Sequence, residues 1–143
     1  NNLHTQILYR DEMVAVLPKG HRLAKKEMVS LKDLATESFI LLDEGEYSVP
    51  EQAFQRRGLH PRIEYKVYDD YSILAMIRQG LGVSILPQSA CAREQKKGKM
   101  AVLPIENLSM MRETKIVYKK DFIHMDILQE ITRVYHETAR SYQ

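Results

Sequence analysis

Short apolar runs alternate with stretches of helical periodicity between residues 39 and 86, and this alternation constrains the fold most. Phe39–Leu42 is a continuous apolar run, Arg62–Tyr68 alternates apolar and charged residues, and Val83–Leu86 is a third run of strand length. Residues 49–57 and 71–79 carry apolar side chains at helical spacing between them. This succession predicts an α/β fold with a mostly parallel sheet and helices on both faces.

The flanking segments predict further elements. The apolar run Met13–Leu17, ended by Pro18, predicts a buried strand, and Ser30 predicts the start of a short helix. We expect later elements at Ser89–Arg93 (helix), Met100–Leu103 and Thr114–Tyr118 (strands), and Met125 to Tyr142 (helix). Leu3–Tyr9, the last strand and the last helix have no strand–helix partners, so they are interpreted as pieces of a second, incomplete lobe.

The last helix is amphipathic. Its apolar face comprises Ile127, Leu128, Ile131, Val134 and Tyr135. We expect this face to be buried on the main sheet, on a partner chain or on the missing part of the incomplete lobe.

The bulk composition is that of an ordinary globular protein. The chain has 143 residues, a net charge of +2, 44% hydrophobic and 28% charged residues, which allows one core or two small lobes. This charge balance argues against nucleic-acid binding by the chain itself. With one cysteine, no apolar run near the roughly 20 residues of a membrane helix and no signal-peptide pattern, we expect a cytoplasmic protein without membrane contact.

The predicted sheet brings candidate binding residues to one edge. Parallel strands deliver their carboxyl ends and the following helix starts to the same edge, where unpaired N–H groups favour polar or anionic ligands. The candidate residues there are Leu42, Asp43, Glu44, Ser48, Asp70, Tyr71, Ser72, Leu86 and Pro87.

Several of these residues have structural interpretations as well. Asp70 is more often a helix N-cap than a ligand contact, and Ser48 and Ser72 have the same alternative. Tyr71 has two equal interpretations, lining a cleft or packing on a neighbouring helix. Glu44 is interpreted first as part of a solvated loop.

The sequence offers little for catalysis. The five histidines are scattered without metal-ligand spacing, and Cys91 is expected to be a buried, inert thiol. Neither a nucleophile elbow nor a phosphate-binding loop occurs, and Gly80-Leu81-Gly82 lacks the third glycine of a dinucleotide fingerprint. We therefore predict no catalytic residues, no metal site, no cofactor and no enzymatic activity.

Four segments together resemble one protein family. They are the strand and loop of residues 13–24, which includes Gly20-His21-Arg22-Leu23-Ala24, Ser30–Leu34, Phe39–Gly45, and the helix from Asp69 that runs into Gly80-Leu81-Gly82-Val83-Ser84-Ile85-Leu86-Pro87. Their order and spacing are similar to the effector-binding domain of LysR-type transcription regulators. Arg22 departs from the proline that the family often has there.

The resemblance implies a two-lobed fold similar to type II periplasmic binding proteins, with an effector in the cleft between lobes. It assigns residues 13–104 to one complete, doubly wound lobe and residues 1–12 and 105–143 to the remnant of the other. It also implies that the family's N-terminal helix-turn-helix, through which DNA would be bound, is absent from this chain. The expected partners are a small-molecule effector and further copies in a homodimer or tetramer. The alternative is a fragment of a periplasmic solute-binding protein.

Overall fold

The computed structural model describes residues 2–46, 48–107, 110–119, 121 and 124–140. Its strands are β1 (Leu3–Pro18), β2 (Ser38–Leu42), β3 (Arg62–Val67), β4 (Ser84–Pro87), β5 (Met100–Leu103) and β6 (Met111–Lys119). Its α-helices are α1 (Leu31–Ala35), α2 (Val49–Arg56), α3 (Asp70–Arg78), α4 (Gln88–Lys96) and α5 (Met125–Arg140), and a short 3-10 helix spans Arg22–Lys25. The end of the last predicted helix, residues 141 and 142, lies outside the described residues.

The central strands lie side by side in the order β3-β2-β4-β1-β5. β2 and β3 are parallel, and a parallel bridge between Phe39 and Val83 joins β2 to β4, with backbone hydrogen bonds of 2.8 and 2.9 Å beside it. The predicted parallel arrangement of these three strands is therefore confirmed. β1 runs antiparallel between β4 and β5, a direction that the sequence pattern did not predict.

Helices cover both faces of this sheet, as predicted. Alternate residues of β1 point to opposite faces because successive side chains in a strand do so. Met13, Ala15 and Leu17 belong to the apolar cluster that includes residues of α1 and α2. Val14 and Val16 belong to the second cluster, with residues of α3 and α4.

β1 is one strand of 16 residues, not two separate segments. Its C-terminal part, residues 13–18, pairs with β4 and β5, and its N-terminal part, residues 3–12, pairs antiparallel with β6. We call residues 3–12 together with β6 the β1–β6 ribbon. The polar residues Arg10, Asp11 and Glu12 hide this continuity in the apolar pattern, but strand pairing uses the backbone and tolerates them.

α5 packs on the β1–β6 ribbon with only part of its apolar face. The side chain of Leu128 is 1% exposed, Tyr135 stacks at an angle on Tyr9 with ring centres 5.9 Å apart, and Gln6 donates to the Thr132 hydroxyl at 3.0 Å. The rest of the predicted apolar face is exposed and consists of Ile127, Ile131 and Val134. Within the described residues, no helix is long and apolar enough to cross a bilayer.

Candidate functional site

The carboxyl ends of β2, β3 and β4 lie on one edge of the sheet, and each leads into a helix. Leu42 pairs with Val67 at the ends of β2 and β3, and Pro87 at the end of β4 pairs with Met13. The helices α2, α3 and α4 begin at this edge. We call the three strand ends with the turns and helix starts that follow them the rim.

The first part of the rim is a turn that folds onto itself. The N–H of Asp43 donates to the carbonyl of Val67 at 2.8 Å, and the Asp43 carboxylate accepts from the N–H of Gly45 at 3.1 Å. Ser48 is 2% exposed, and its hydroxyl accepts from the N–H of Glu51 at 3.3 Å, which makes it the N-cap of α2. Leu42 is buried in the apolar cluster beneath α3 and α4.

Glu44 connects the rim to the β1–β6 ribbon. Its Oε1 lies 3.1 Å from Nη1 of Arg112 on β6. From the sequence, Glu44 was interpreted first as part of a solvated loop, and this partner could not be predicted because Arg112 is distant in the chain. The ion pair places the ribbon beside the turn that follows β2.

The start of α3 corrects the predicted N-cap. The cap is Asp69, whose carboxylate accepts from the N–H of Ser72 at 2.7 Å and from its hydroxyl at 2.9 Å. Asp70 is the first helical residue instead. Ser72 therefore hydrogen-bonds to the cap and does not cap the helix itself, while the Asp70 carboxylate is left to face the groove between α3 and α4.

Two tyrosines stand out from the protein at the end of β3 and the start of α3. Tyr71 is 77% exposed and Tyr68 is 83% exposed. A large apolar ring that is open to solvent beside polar helix starts is available for contact with another molecule. Tyr71 was among the predicted residues, whereas Tyr68 was not, although the same strand-to-helix turn carries both.

The third part of the rim is apolar and buried. The side chain of Leu86 is fully buried in the cluster of α3 and α4, so it supports the rim from beneath and is not part of its open surface. Pro87 is buried and is the N-cap of α4, but it offers no side-chain hydrogen bond to the helix start.

At the start of α4, the N–H and hydroxyl of Ser89 donate to Asp11, a residue that was not predicted from the sequence. Asp11, 7% exposed, accepts through Oδ1 from the N–H of Ser89 at 3.2 Å and through Oδ2 from the Ser89 hydroxyl. The helix starts at the rim thus differ electrostatically. Carboxylates accept the N–H hydrogen bonds at the starts of α3 and α4, whereas the neutral hydroxyl of Ser48 accepts the one at the start of α2.

The rim combines polar helix starts with exposed tyrosine rings. The described residues contain no cluster of His, Cys, Asp or Glu side chains that could hold a metal ion. Burial, and then the negative charges of Asp11 and Asp70, raise the pKa of Cys91 to about 12, so this thiol is protonated at neutral pH and a poor nucleophile.

Comparison with known proteins gives a consistent result. A family model described as LysR substrate binding domain matches residues 1–138. The HTH-type transcriptional regulator ShiR of Corynebacterium glutamicum (strain R) is 38% identical over 87 residues, which are 58% of this chain and 30% of that protein. The chain spans less than half the length of this and other curated regulators that it matches.

Solved structures share the fold. The regulatory domain of MetR, a LysR family regulator from N. meningitidis, superposes with a TM-score of 0.80 at 16% identity, covering 99% of this chain and 66% of that one. The CcmR regulatory domain of Synechocystis PCC6803, in complex with 2-PG, gives a TM-score of 0.77 at 21% identity, covering 96% of this chain and 67% of that one.

Proposed function

The chain belongs to the LysR substrate binding domain family, and from this we propose that a small-molecule effector binds between its rim and the β1–β6 ribbon. The domain is an effector-binding domain of the kind found in LysR-type transcription regulators, with a fold similar to type II periplasmic binding proteins. The observation that carries the proposal is the ion pair between Glu44 and Arg112, which sets the ribbon against the turn after β2.

We assign the effector contacts to the predicted rim residues, with different roles. Asp43, Glu44, Ser48, Asp70 and Ser72 supply polar groups. Tyr71 supplies an exposed aromatic ring, while the buried Leu42, Leu86 and Pro87 support the rim from beneath. We place an acceptor group of the effector at the start of α2, because the N-cap there is the neutral hydroxyl of Ser48 and the nearest carboxylate is that of Glu51 in the first turn.

We divide the chain functionally at the point where β1 changes its partners. Residues 13–104 form one lobe, and residues 1–12 and 105–143 belong to the other. β1 passes from one to the other, and at the point of passage the N–H of Met13 donates to the carbonyl of Met110 at 2.8 Å. An effector changes the lobe orientation only if it binds one arrangement more tightly than the other.

In the complete protein, we propose that this change controls transcription. The relatives ShiR and CysL are named HTH-type transcriptional regulators, and we assign DNA contact to a helix-turn-helix outside this chain. Pairing of sensing domains in a homodimer or tetramer in the cytoplasm would transmit the change to linked DNA-binding domains. The relatives are transcription regulators, which favours this function over an enzyme or a periplasmic solute-binding protein.

The test is ligand binding by the complete protein and two serine variants. Thermal-shift and calorimetric screening of a metabolite panel that includes 2-PG should find a compound that stabilises the wild type by mass action. Ser48→Ala should weaken binding, because it removes the hydroxyl at the start of α2. Ser38→Ala removes a hydroxyl at the opposite end of β2, so it should retain wild-type affinity. Equal affinity in both variants, or turnover of a compound, would overturn the proposal.

A further inference from the structure

A cavity of about 290 Å³ lies between α3 and α4, on the face of the sheet that these helices cover. On α3 it is bounded by Asp70, Leu74 and Arg78, which follow one another at intervals of four residues on one side of the helix. On α4, Ala90 lies at its wall and leaves room because its side chain is a single methyl group. This volume is at the lower end of the volumes of ligand pockets, so the cavity suits a small metabolite and not a drug-sized ligand.

One wall of this cavity holds a carboxylate oxygen without a partner. Oε1 of Glu94 pairs with Nη1 of Arg78 at 3.1 Å, whereas Oε2 of Glu94 is buried and has no hydrogen-bond partner among the described residues. A buried carboxylate oxygen without a donor costs free energy. Because Glu94 lines the cavity, a ligand bound there would supply the missing donor once this side chain turns towards it.

Two further charges face the cavity. In the part of the chain that the structure describes, neither the guanidinium of Arg93 nor the carboxylate of Asp70 has a hydrogen bond or ion pair with another side chain. Arg93 and Glu94 of α4 both line the cavity, so a cation and an anion border it on the α4 side. The lining carries two guanidinium groups and two carboxylates, a balance that suits a ligand with both charges and no net charge.

We propose that the cavity binds a free α-amino acid. Its ammonium group donates to Oε2 of Glu94, its carboxylate accepts from the Arg93 guanidinium, and its side chain lies against Leu74 and the exposed ring of Tyr71. Guanidinium and carboxylate groups make charge-assisted hydrogen bonds, which are stronger than neutral ones. This site adjoins the rim, since Asp70 and Tyr71 border both, but the groups that bind the amino acid, Arg93 and Glu94, lie on α4 between two helices of one lobe.

Isothermal titration calorimetry of the full chain with L-serine tests the proposal. L-Serine methyl ester lacks the carboxylate and N-acetyl-L-serine lacks the ammonium group, so each should bind about tenfold more weakly or not at all. Ala90→Leu fills the cavity and should abolish binding. Glu94→Gln retains an oxygen acceptor for Arg78, and both it and Arg93→Gln should weaken binding about tenfold. Arg56 is exposed on α2, on the other face of the sheet, so Arg56→Gln is the matched control and should leave affinity unchanged.

Each outcome decides the question. Absence of heat with L-serine, L-alanine and L-leucine at millimolar concentration overturns the proposal and leaves water as the partner of Glu94. Binding that survives Ala90→Leu but is lost in Ser48→Ala assigns the amino acid to the rim, which also overturns it while supporting the proposed effector cleft. Binding lost in Ala90→Leu and kept in Ser48→Ala supports it, whatever the rim binds.

Discussion

The carboxylate of Asp11 accepts hydrogen bonds from both the N–H and the hydroxyl of Ser89, 78 residues later in the chain. Asp11 lies in the part of β1 that pairs with β6, and Ser89 is the second residue of α4. Since Pro87 cannot cap α4 with its side chain, a residue of the β1–β6 ribbon caps the helix instead. This contact is a second link between the ribbon and the rim, beside the ion pair between Glu44 and Arg112.

Removal of this cap should destabilise the fold. Asp11→Ala leaves the N–H and hydroxyl of Ser89 without their acceptor in a partly buried place, so we expect the free energy of unfolding to fall by about 1–3 kcal/mol. Asp11→Asn keeps one carbonyl oxygen and should lose less. Urea denaturation followed by circular dichroism measures both.

The neighbouring residue provides the control for Asp11. Glu12 is exposed on the same strand, and Glu12→Ala should change stability by no more than about 0.5 kcal/mol. Equal losses in Asp11→Ala and Glu12→Ala would show that the cap has no stabilising role.

The sequence was most informative where the signals were local. The strands at Phe39–Leu42 and Val83–Leu86 and the helices between them followed from short-range periodicity, and their shared edge followed from chain direction. The cap of α3 was shifted by one residue because adjacent aspartates are equivalent in sequence, and only the backbone conformation distinguishes Asp69 from Asp70.

Long-range contacts could not be predicted from the sequence. Asp11 and Arg112 acquire their roles through partners that are distant in the chain, and no periodicity connects them. The antiparallel direction of β1 likewise depends on pairing with β4 and β5, which local pattern does not encode. The exposed stripe of α5 was recognised as apolar, but its packing depends on what lies opposite it.

Gly80 and Gly82 should respond differently to the same substitutions. Gly80 has φ +78° and open space where a Cβ would stand, so Gly80→Ala should cost about 1–2 kcal/mol and Gly80→Asn less, because asparagine tolerates this conformation. A Cβ on Gly82 would lie 2.6 Å from the backbone oxygen of Ser38, so Gly82→Ala should cost about 1–3 kcal/mol. Gly82→Asn should be at least as destabilising.

Denaturation midpoints of the four glycine variants distinguish these causes. If the asparagine variant were more stable than the alanine variant at both positions, a steric requirement at Gly82 would be contradicted. If it were no more stable at either position, a conformational requirement at Gly80 would be contradicted.

Stability should depend on the ionisation of Asp33. Burial opposes ionisation of this carboxyl, but hydrogen bonds from Ser30 and the Lys26 ammonium group more than offset it, so its pKa lies below the ordinary 3.8. A carboxyl whose pKa is lower in the folded state stabilises that state above the unfolded pKa, and the stabilisation is lost as pH falls through the folded pKa. The Asp33 carboxylate also accepts from the N–H of Ser30 in a capping box at the start of α1.

We therefore expect Asp33→Asn to be less stable than the wild type at pH 7 by about 1 kcal/mol, with the difference shrinking as the pH falls below 3.8. Chemical denaturation at a series of pH values measures the difference. A gap that stays constant down to the acid transition would exclude this ionisation as its cause.

Cys91 should be inert towards alkylation in the folded protein. Its thiol is fully buried and donates to the carbonyl of Pro87 at 3.5 Å, and burial followed by the charges of Asp11 and Asp70 raises its pKa to about 12.

Iodoacetamide reacts with thiolate, so modification of Cys91 at pH 8 should require opening of α4 and should accelerate as urea is added. Arg93→Cys in a Cys91→Ala background places a thiol on the exposed side of the same helix and should react at the rate of a free thiol. Because the folded pKa lies above the ordinary 9.0, the stabilisation linked to the protonated thiol is present below pH 9 and declines as the pH rises towards 12. Native Cys91 that reacts as fast as the Arg93→Cys variant would contradict both its burial and its raised pKa.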